Sequence, residues 1–290
     1  MIYQKNIVSI FYSISFIISI PLCIQGMNQH EPKNRLEQFG RDVVIGSLTG
    51  MGEVTINQPL ICIKNTLQQR KPLSINPHIL YRGFGVNVSC MAPTTALQIA
   101  TNKALEEVIV GNDTGTMTMR AFTAGIFSAL ASSPTELVVI HQQNEGLNAY
   151  TTIQKLIQQK GLSVMGRGCI AKSLREGGFG IGLLAMYPSL KNNIYTRLNN
   201  ESAAIIAAGI IAGTTTAIIT HPFDTISTAM QVDYTKQHHT TMCKTAQHIY
   251  NMHGVNGFFR GVAPRGTRIG LAIPLMHFLQ HYLHDVIDKK

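Results

Sequence analysis

The sequence predicts an all-α membrane protein whose six transmembrane helices form three repeats. Three observations support this fold class: few charged residues, apolar segments of nearly membrane-spanning length, and a motif that ends every second segment. Charged residues make up 13% of the 290 residues, whereas they are about a quarter of a soluble domain. Six apolar segments approach the roughly 20 residues that cross a bilayer as a helix; they lie at 43–63, 86–101, 121–140, 169–187, 202–220 and 269–283.

The charge balance and the cysteines narrow the range of partners. A net charge of +9 fits anionic lipid or an anionic solute. The basic residues are scattered between apolar segments and form no dense patch, so we expect no nucleic acid. The five cysteines are dispersed and contain no CxxC pair, which argues against a disulfide framework or a zinc site. We therefore expect neither a metal nor a cofactor.

A hydrophobic prefix, residues 1–26, precedes the six segments. It carries one lysine followed by an apolar stretch at 7–20, which is typical of a signal-peptide core. No small-x-small cleavage site follows, and Met27 begins a polar segment that would serve as an amino terminus. Two interpretations stay open: an additional hydrophobic segment, or an upstream start that is not used.

The first, third and fifth apolar segments end alike. Each end has a proline, then a glutamine nine residues later. A proline inside a helix removes one backbone hydrogen bond and bends the helix, so we expect three helix kinks, at Pro59, Pro134 and Pro222. The stretches read QPLICIKNTLQ at 58–68, SPTELVVIHQQ at 133–143 and HPFDTISTAMQ at 221–231.

A second motif follows each proline motif and precedes the next apolar segment. It is an Arg-Gly pair, found at Arg82-Gly83, Arg167-Gly168 and Arg260-Gly261. The unit is therefore helix, proline, polar segment, Arg-Gly and helix, and self-similarity of this kind is the signature of a repeat architecture. The predicted repeats span residues 39–110, 115–197 and 201–287.

This pattern resembles the mitochondrial carrier family, whose repeats read P-x-[DE]-x-x-[KR], then an amphipathic helix and an aromatic-Arg-Gly turn. The resemblance covers about residues 39–285. It implies six tilted helices around a central cavity with threefold pseudosymmetry, in a monomer that carries one small solute by alternating access, as an antiporter. It also implies a multi-pass protein of the mitochondrial inner membrane, or of a host cell's if the source is a bacterium or a virus. Anionic, cardiolipin-like lipid is expected at the repeat ends.

The resemblance implies a matrix gate made by the acid two residues after each proline and the base five residues after it. This chain is a divergent member in that respect, because three of the six positions lack the family's charge. We expect a gate with one strong ion pair, which opens more easily than a complete ring. The implied pairs are Ile61 with Val139, Glu136 with Ser227, and Asp224 with Lys64.

Two further sets of residues follow from the same resemblance. The glutamines Gln68, Gln143 and Gln231 occupy the positions of braces beneath the gate pairs, where an amide both donates and accepts hydrogen bonds. The cytoplasmic gate is less complete, with an expected Lys191–Glu106 contact beside Tyr187.

The implied substrate contacts lie eight residues after each motif arginine, at Cys90, Arg175 and Arg268, with Glu176 beside Arg175. An arginine in mid-membrane generally faces a water-filled cavity, and its fork suits carboxylate or phosphate. The alternative is structural pairing between helices. Glu53 in the first segment has two interpretations, a cation or proton site and a packed acid.

Three functions stay open at this stage. The Arg175–Glu176 pair favours an amino-acid-like or other zwitterionic solute. Arg268 with nearby Lys172 and Arg265 would suit phosphate, so an adenine nucleotide is the alternative. The incomplete gates favour a third function of another class, a carrier-fold membrane adaptor that does not transport. No Ser/His/Asp, Cys/His, HExxH or P-loop arrangement occurs, so we do not expect an enzyme.

Overall fold

The computed structural model describes the backbone of residues 32–111 and 113–288, and the side chains of 40–111 and 113–283. This part of the chain is helical and has no β-strand, which confirms the all-α fold class. The hydrophobic prefix at 1–26 lies outside the described residues. The α-helices are α1 (Pro32–Gln68), α2 (Pro77–Leu80), α3 (Phe84–Ser89), α4 (Met91–Val108), α5 (Thr114–Glu145), α6 (Ala149–Lys160), α7 (Cys169–Ile181), α8 (Tyr187–Leu198), α9 (Glu201–Val232), α10 (Met242–His253) and α11 (Val262–Asp288).

The three longest helices, α1, α5 and α9, carry the predicted prolines in their interiors and are called the proline helices below. Two of them begin at side-chain caps: Asp113 accepts from the backbone N–H of Thr116, and Asn200 from that of Ala203. Such caps satisfy backbone donors that the first turn leaves without partners. Polar residues before the apolar segments thus set where α5 and α9 begin.

Helices α4, α7, α8 and α11 alternate with the proline helices in a closed ring. Around the ring, α1 packs on α4, α4 on α5, α5 on α7, α7 and α8 on α9, α9 on α11, and α11 on α1. A π turn, Gly182–Met186, joins α7 to α8. The ring therefore has six members, in the order that the sequence predicts, and the repeat bounds themselves stay a prediction.

Small residues bring the helices of the ring close together. A Cβ atom added at Gly213 on α9 would lie 2.7 Å from the carbonyl oxygen of Ile269 on α11. One added at Gly46 on α1 would lie 2.7 Å from Cγ2 of Thr95 on α4. Backbones that approach this closely are common between helices in lipid, where small residues allow tight van der Waals packing.

The three Arg-Gly pairs form turns that connect neighbouring repeats. Their glycines have positive φ angles of 81°, 75° and 85° at Gly83, Gly168 and Gly261, a conformation that glycine adopts without steric cost. Each glycine also faces the proline helix of the next repeat, and that of the third repeat faces α1. The facing residues are Val139 for Gly83, Ser227 for Gly168 and Lys64 for Gly261.

Two of the described helices, Thr114–Glu145 and Glu201–Val232, are long and apolar enough to cross a membrane by length and composition alone. The remaining ring members are less apolar because they carry charged residues on the inner side of the ring. Glu53 and Lys64 on α1 and Arg268 on α11 line the interior. A hydropathy average cannot separate such residues from lipid-facing ones.

Candidate functional site

A central cavity of about 580 Å³ lies inside the ring, lined mainly by α1, α4, α5, α7 and α11. The structure places all four predicted substrate contacts, Cys90, Arg175, Glu176 and Arg268, on its wall. Cavities of this size are typical of small-molecule sites. A cluster of charged side chains closes one end, and the cavity extends towards Lys103 and Glu106 at the other.

Arg268 on α11 forms an ion pair with Glu53 on α1. Its Nε lies 3.2 Å from Oε1 of Glu53, which also accepts from Nδ2 of Asn57 at 3.2 Å. Glu53 is 5% exposed, whereas the Arg268 side chain is 31% exposed. Glu53 is therefore an ion-paired acid of the cavity wall, and the more open partner of the pair is the guanidinium.

Arg175 on α7 contacts carboxylates from three helices. Its Nη2 lies 2.5 Å from Oε1 of Glu176, and its Nη1 lies 3.2 Å from Oε1 of Glu136 on α5. The same Nη1 contacts Oδ1 of Asp224 on α9. A guanidinium presents five N–H donors in a planar fork, so one arginine can join several carboxylates. Arg175 thus belongs to the charged cluster as well as to the cavity wall.

The expected pair between Lys64 and Asp224 is present at the closed end. Lys64 Nζ lies 3.1 Å from Oδ2 of Asp224 and 3.4 Å from Oε1 of Glu136. Asp224 is fully buried and Lys64 is 5% exposed. A buried carboxylate without a cation would be strongly unfavourable, so Lys64 connects α1 to both α9 and α5.

The expected contact between Glu136 and Ser227 is wrong. The Ser227 hydroxyl donates to the carbonyl oxygen of Gly168 at 3.3 Å. Glu136 instead accepts from Lys172 Nζ at 2.5 Å, in addition to its contacts with Arg175 and Lys64. The reason is that the Arg-Gly turn of the second repeat lies directly against Ser227 and takes its hydroxyl. The expectation of a gate with a single strong ion pair is therefore wrong as well.

Ile61 and Val139, the expected apolar gate pair, both line the closed end of the cavity. Val139 is 1% exposed and belongs to a cluster with Val86, Leu137 and Val138. Both side chains are apolar, so this part of the ring contains no buried charge that would need a partner.

The three glutamines lie beneath the closed end and bridge repeats. Gln68 donates to Oδ2 of Asp224 at 2.7 Å, so it supports the Lys64–Asp224 pair directly. Gln143 accepts from Asn65 at 2.8 Å and donates to the Arg82 carbonyl at 3.4 Å. Gln231 donates to the carbonyls of Ser133, at 3.2 Å, and Arg167, at 3.4 Å. Two of the three thus hold Arg-Gly turns, a contact that the sequence did not indicate.

The predicted Lys191–Glu106 contact is wrong for this conformation. Lys191 Nζ lies 3.0 Å from Oε1 of Glu201, and Glu106 accepts from Nδ2 of Asn102 at 2.8 Å. Both partners are local, because Glu201 begins α9 just after α8 ends, and Asn102 is one turn before Glu106. Tyr187 packs edge-on against His277 on α11. Of the two residues of the predicted contact, Glu106 lines the cavity.

Lys172 was not expected at the closed end; the sequence indicated it only as a basic residue near Arg268. It is 3% exposed and pairs with Glu136 and, at 3.3 Å, with Glu176. The signal was the spacing of Lys172, Arg175 and Glu176, since residues three and four apart share one face of a helix. Among the described side chains, no group of three His, Cys, Asp or Glu residues is placed to hold a metal ion.

The comparisons with known proteins agree with this architecture. The profile of the family described as Mitochondrial carrier protein matches residues 199–289. A mitochondrial substrate carrier family protein X of Dictyostelium discoideum is 27% identical, over 64% of this chain and 65% of its own length. Calcium-binding mitochondrial carrier protein SCaMC-2 of Xenopus laevis is 24% identical, over 84% of this chain and 53% of its own. A glutamate/glycine mitochondrial carrier of Schizosaccharomyces pombe is 25% identical, over 89% and 97%.

The chain therefore spans less than two thirds of the first two relatives that it matches. The names of further relatives refer to citrate and to ATP-magnesium and phosphate. The relatives thus share transport of small molecules by mitochondrial carriers, and their substrates fall into several chemical classes.

Proposed function

The chain belongs to the mitochondrial carrier family, and from this premise we propose that it moves a small zwitterionic, amino-acid-like metabolite across the mitochondrial inner membrane. It does so as a multi-pass protein by alternating access, in exchange for a second solute. The charged cluster that includes Lys64, Glu136 and Asp224 closes one end in the conformation described here.

The observation that carries this proposal is the presence of both signs of charge on one cavity wall. Arg268 faces Glu53, and Arg175 is adjacent to Glu176. A zwitterion offers a carboxylate to a guanidinium and an ammonium group to a carboxylate, so it can contact both members of such a pair. A guanidinium binds a carboxylate through two parallel hydrogen bonds, and Arg268 is the more exposed of the two arginines.

The same contacts disfavour an adenine nucleotide. Two of the three basic residues that would suit phosphate, Lys172 and Arg265, are already engaged by the protein. Lys172 pairs with two glutamates, and Arg265 donates to Thr220 Oγ1 at 2.7 Å and to the Ala217 carbonyl at 3.3 Å. A polyphosphate would displace these buried carboxylates without offering them a cation, whereas a zwitterion brings an ammonium group of its own.

The test is competition for uptake into liposomes that contain the purified chain, with neutral amino acids, citrate and ATP as the competing solutes. We expect at least one amino acid to inhibit about tenfold more strongly than ATP. Stronger inhibition by ATP would contradict the proposal in favour of a nucleotide. Absence of uptake for every solute by a folded protein would favour the non-transporting adaptor.

A matched pair of variants tests the site. Arg268→Lys keeps a cation next to Glu53 and removes the planar fork, so we expect KM to rise about tenfold with little change in stability, since a fork-to-carboxylate contact is worth about 1.5–3 kcal/mol. Arg197→Lys makes the same change at an exposed position of α8 and should leave KM unchanged. An unchanged KM in Arg268→Lys would exclude Arg268 from the substrate site.

A further inference from the structure

The closed end has more acids than the proline helices can neutralise. Their base positions, five residues after each proline, hold Lys64, Val139 and Ser227, so these helices provide one cation. Three carboxylates converge there, from Glu136, Glu176 and Asp224, and the most exposed of their side chains is 16% exposed. One cation against three buried acids would leave a large uncompensated negative charge.

Helix α7 provides the two cations that are missing. Lys172 and Arg175 are three residues apart and lie on the face of α7 that meets α5 and α9. Their side chains are 4% and 12% exposed. Lys172 reaches Glu136 at 2.5 Å, and Arg175 reaches Glu136 and Asp224 together. Among the residues in direct ion-pair contact, the cluster then has three cations and three carboxylates.

Glu176 holds the two cations in place from the same helix. Its Oε1 accepts from Arg175 at 2.5 Å and lies 3.3 Å from Lys172 Nζ, one helical turn away. Both long side chains are thus fixed towards the neighbouring proline helices. Because the acid that holds the two cations lies on their own helix, their positions do not depend on the proline helices.

We propose that Lys172 and Arg175 replace the two bases that the proline helices lack, so that α7 is itself part of the closed end. This inference rests on the proposed alternating access. When the closed end opens, α7 must separate from Glu136 on α5 and from Asp224 on α9. Arg175 then belongs to the closure and the cavity wall at once, and an anionic group of the substrate competes with Asp224 and Glu136 for it.

The test removes a lysine from α7 and then adds one to a proline helix. Lys172→Met removes the cation at Glu136, and we expect the maximal uptake rate to fall about tenfold while KM changes less than twofold. Adding Ser227→Lys to Lys172→Met should restore the rate to within about threefold. The reason is that residue 227 occupies the position of Lys64 in the third repeat, and Lys64 reaches the acid of a neighbouring proline helix. Lys172→Arg, which keeps the cation, should resemble the parent protein.

Thermal unfolding of the same variants provides a readout that does not need transport. We expect Lys172→Met to unfold at a lower temperature and Ser227→Lys to restore it. Lys155→Met is the matched control, because Lys155 pairs with Glu145 at the surface, at 2.7 Å, and its side chain is 40% exposed. Equal unfolding temperatures of Lys172→Met and Lys155→Met, together with an unchanged uptake rate in Lys172→Met, would overturn the inference. If the parent protein transports no solute, the proposed function fails, and the unfolding data still decide whether α7 supplies the base.

Discussion

Asp224 is the most deeply buried acid of the closed end. It is fully buried and contacts Lys64, Arg175 and Gln68. Asp224→Asn keeps the shape of the side chain but leaves its two cations with fewer acids. We expect the free energy of unfolding to fall by about 3–5 kcal/mol, which is the usual effect of breaking a buried ion pair. Thermal or denaturant unfolding in detergent measures it.

The matched control is Glu145→Gln, which breaks the surface pair with Lys155. Exposed pairs contribute about 0–1 kcal/mol, so this variant should unfold almost like the parent protein. Equal effects of the two substitutions would show that the closed end is not a source of stability.

Asp233, just beyond the end of α9, organises the loop that follows. Burial alone would raise the pKa of its carboxyl group, but donors of the loop outweigh this effect and lower the pKa from its ordinary 3.8 to about 2. The ionised carboxylate therefore stabilises the loop above about pH 4, and this contribution is lost as the pH falls towards 2. The donors are the backbone N–H groups of Gln237, His238 and His239 and the hydroxyl of Thr235.

The corresponding prediction concerns hydrogen exchange in this loop. Asp233→Ala should speed exchange of the His238 and His239 amides about tenfold at pH 7, since a hydrogen bond to a charged group contributes about 1.5–3 kcal/mol. The difference between the variant and the parent protein should persist at pH 5. A difference that disappears between pH 7 and pH 5 would contradict the lowered pKa.

At the residue scale, the resemblance to the carrier family implied the Lys64–Asp224 contact, and the structure contains it. It failed for Ser227, whose hydroxyl is taken by the carbonyl of Gly168. It also failed for Lys191, whose nearest acid begins the next helix. Both failures have the same physical origin. Ser227 and Lys191 each bind a group that lies nearby in the fold or along the chain, and not the partner that the symmetry of the repeats implies.

At the scale of elements, α9 and α11 depend on the close approach at Gly213. In Gly213→Ala the new methyl carbon would lie 2.7 Å from the Ile269 carbonyl oxygen, which belongs to the backbone and cannot rotate away. We expect a loss of about 1–3 kcal/mol of stability, as is usual for overpacked interiors, measured by thermal unfolding. Gly266→Ala on α11 is the control, because its added carbon would have no atom of another helix within 4 Å; a comparable loss there would contradict the explanation.

The sequence predicted the order and number of the ring helices but not their interruptions. The apolar segment 169–187 suggested one uniform helix, whereas a π turn, Gly182–Met186, divides it. Pro188 follows within two residues, and a proline ring crowds the carbonyl four residues before it, that of Leu184. A wider turn relieves this contact. Hydrophobic periodicity does not report such local crowding, so the turn was not predictable from it.

At the scale of the whole molecule, the three repeats are not independent units. Each Arg-Gly turn lies against the proline helix of the next repeat, and the third lies against α1. The sequence indicated the repeats, but it could not show this exchange of contacts, because the motif residues of one repeat are far from their partners along the chain.

The closed ring also has a consequence for how the protein is made. Lys64 and Asp224 are separated by 160 residues, so α1 is synthesised long before its buried lysine has this partner. A lysine in lipid without a counter-ion is costly, and Glu136 completes only part of its environment. The Lys64–Asp224 ion pair can therefore form only after α9 has been synthesised. A chain that ends before α9 has Glu136 as a partner for Lys64 but lacks Asp224, the more buried of the two acids.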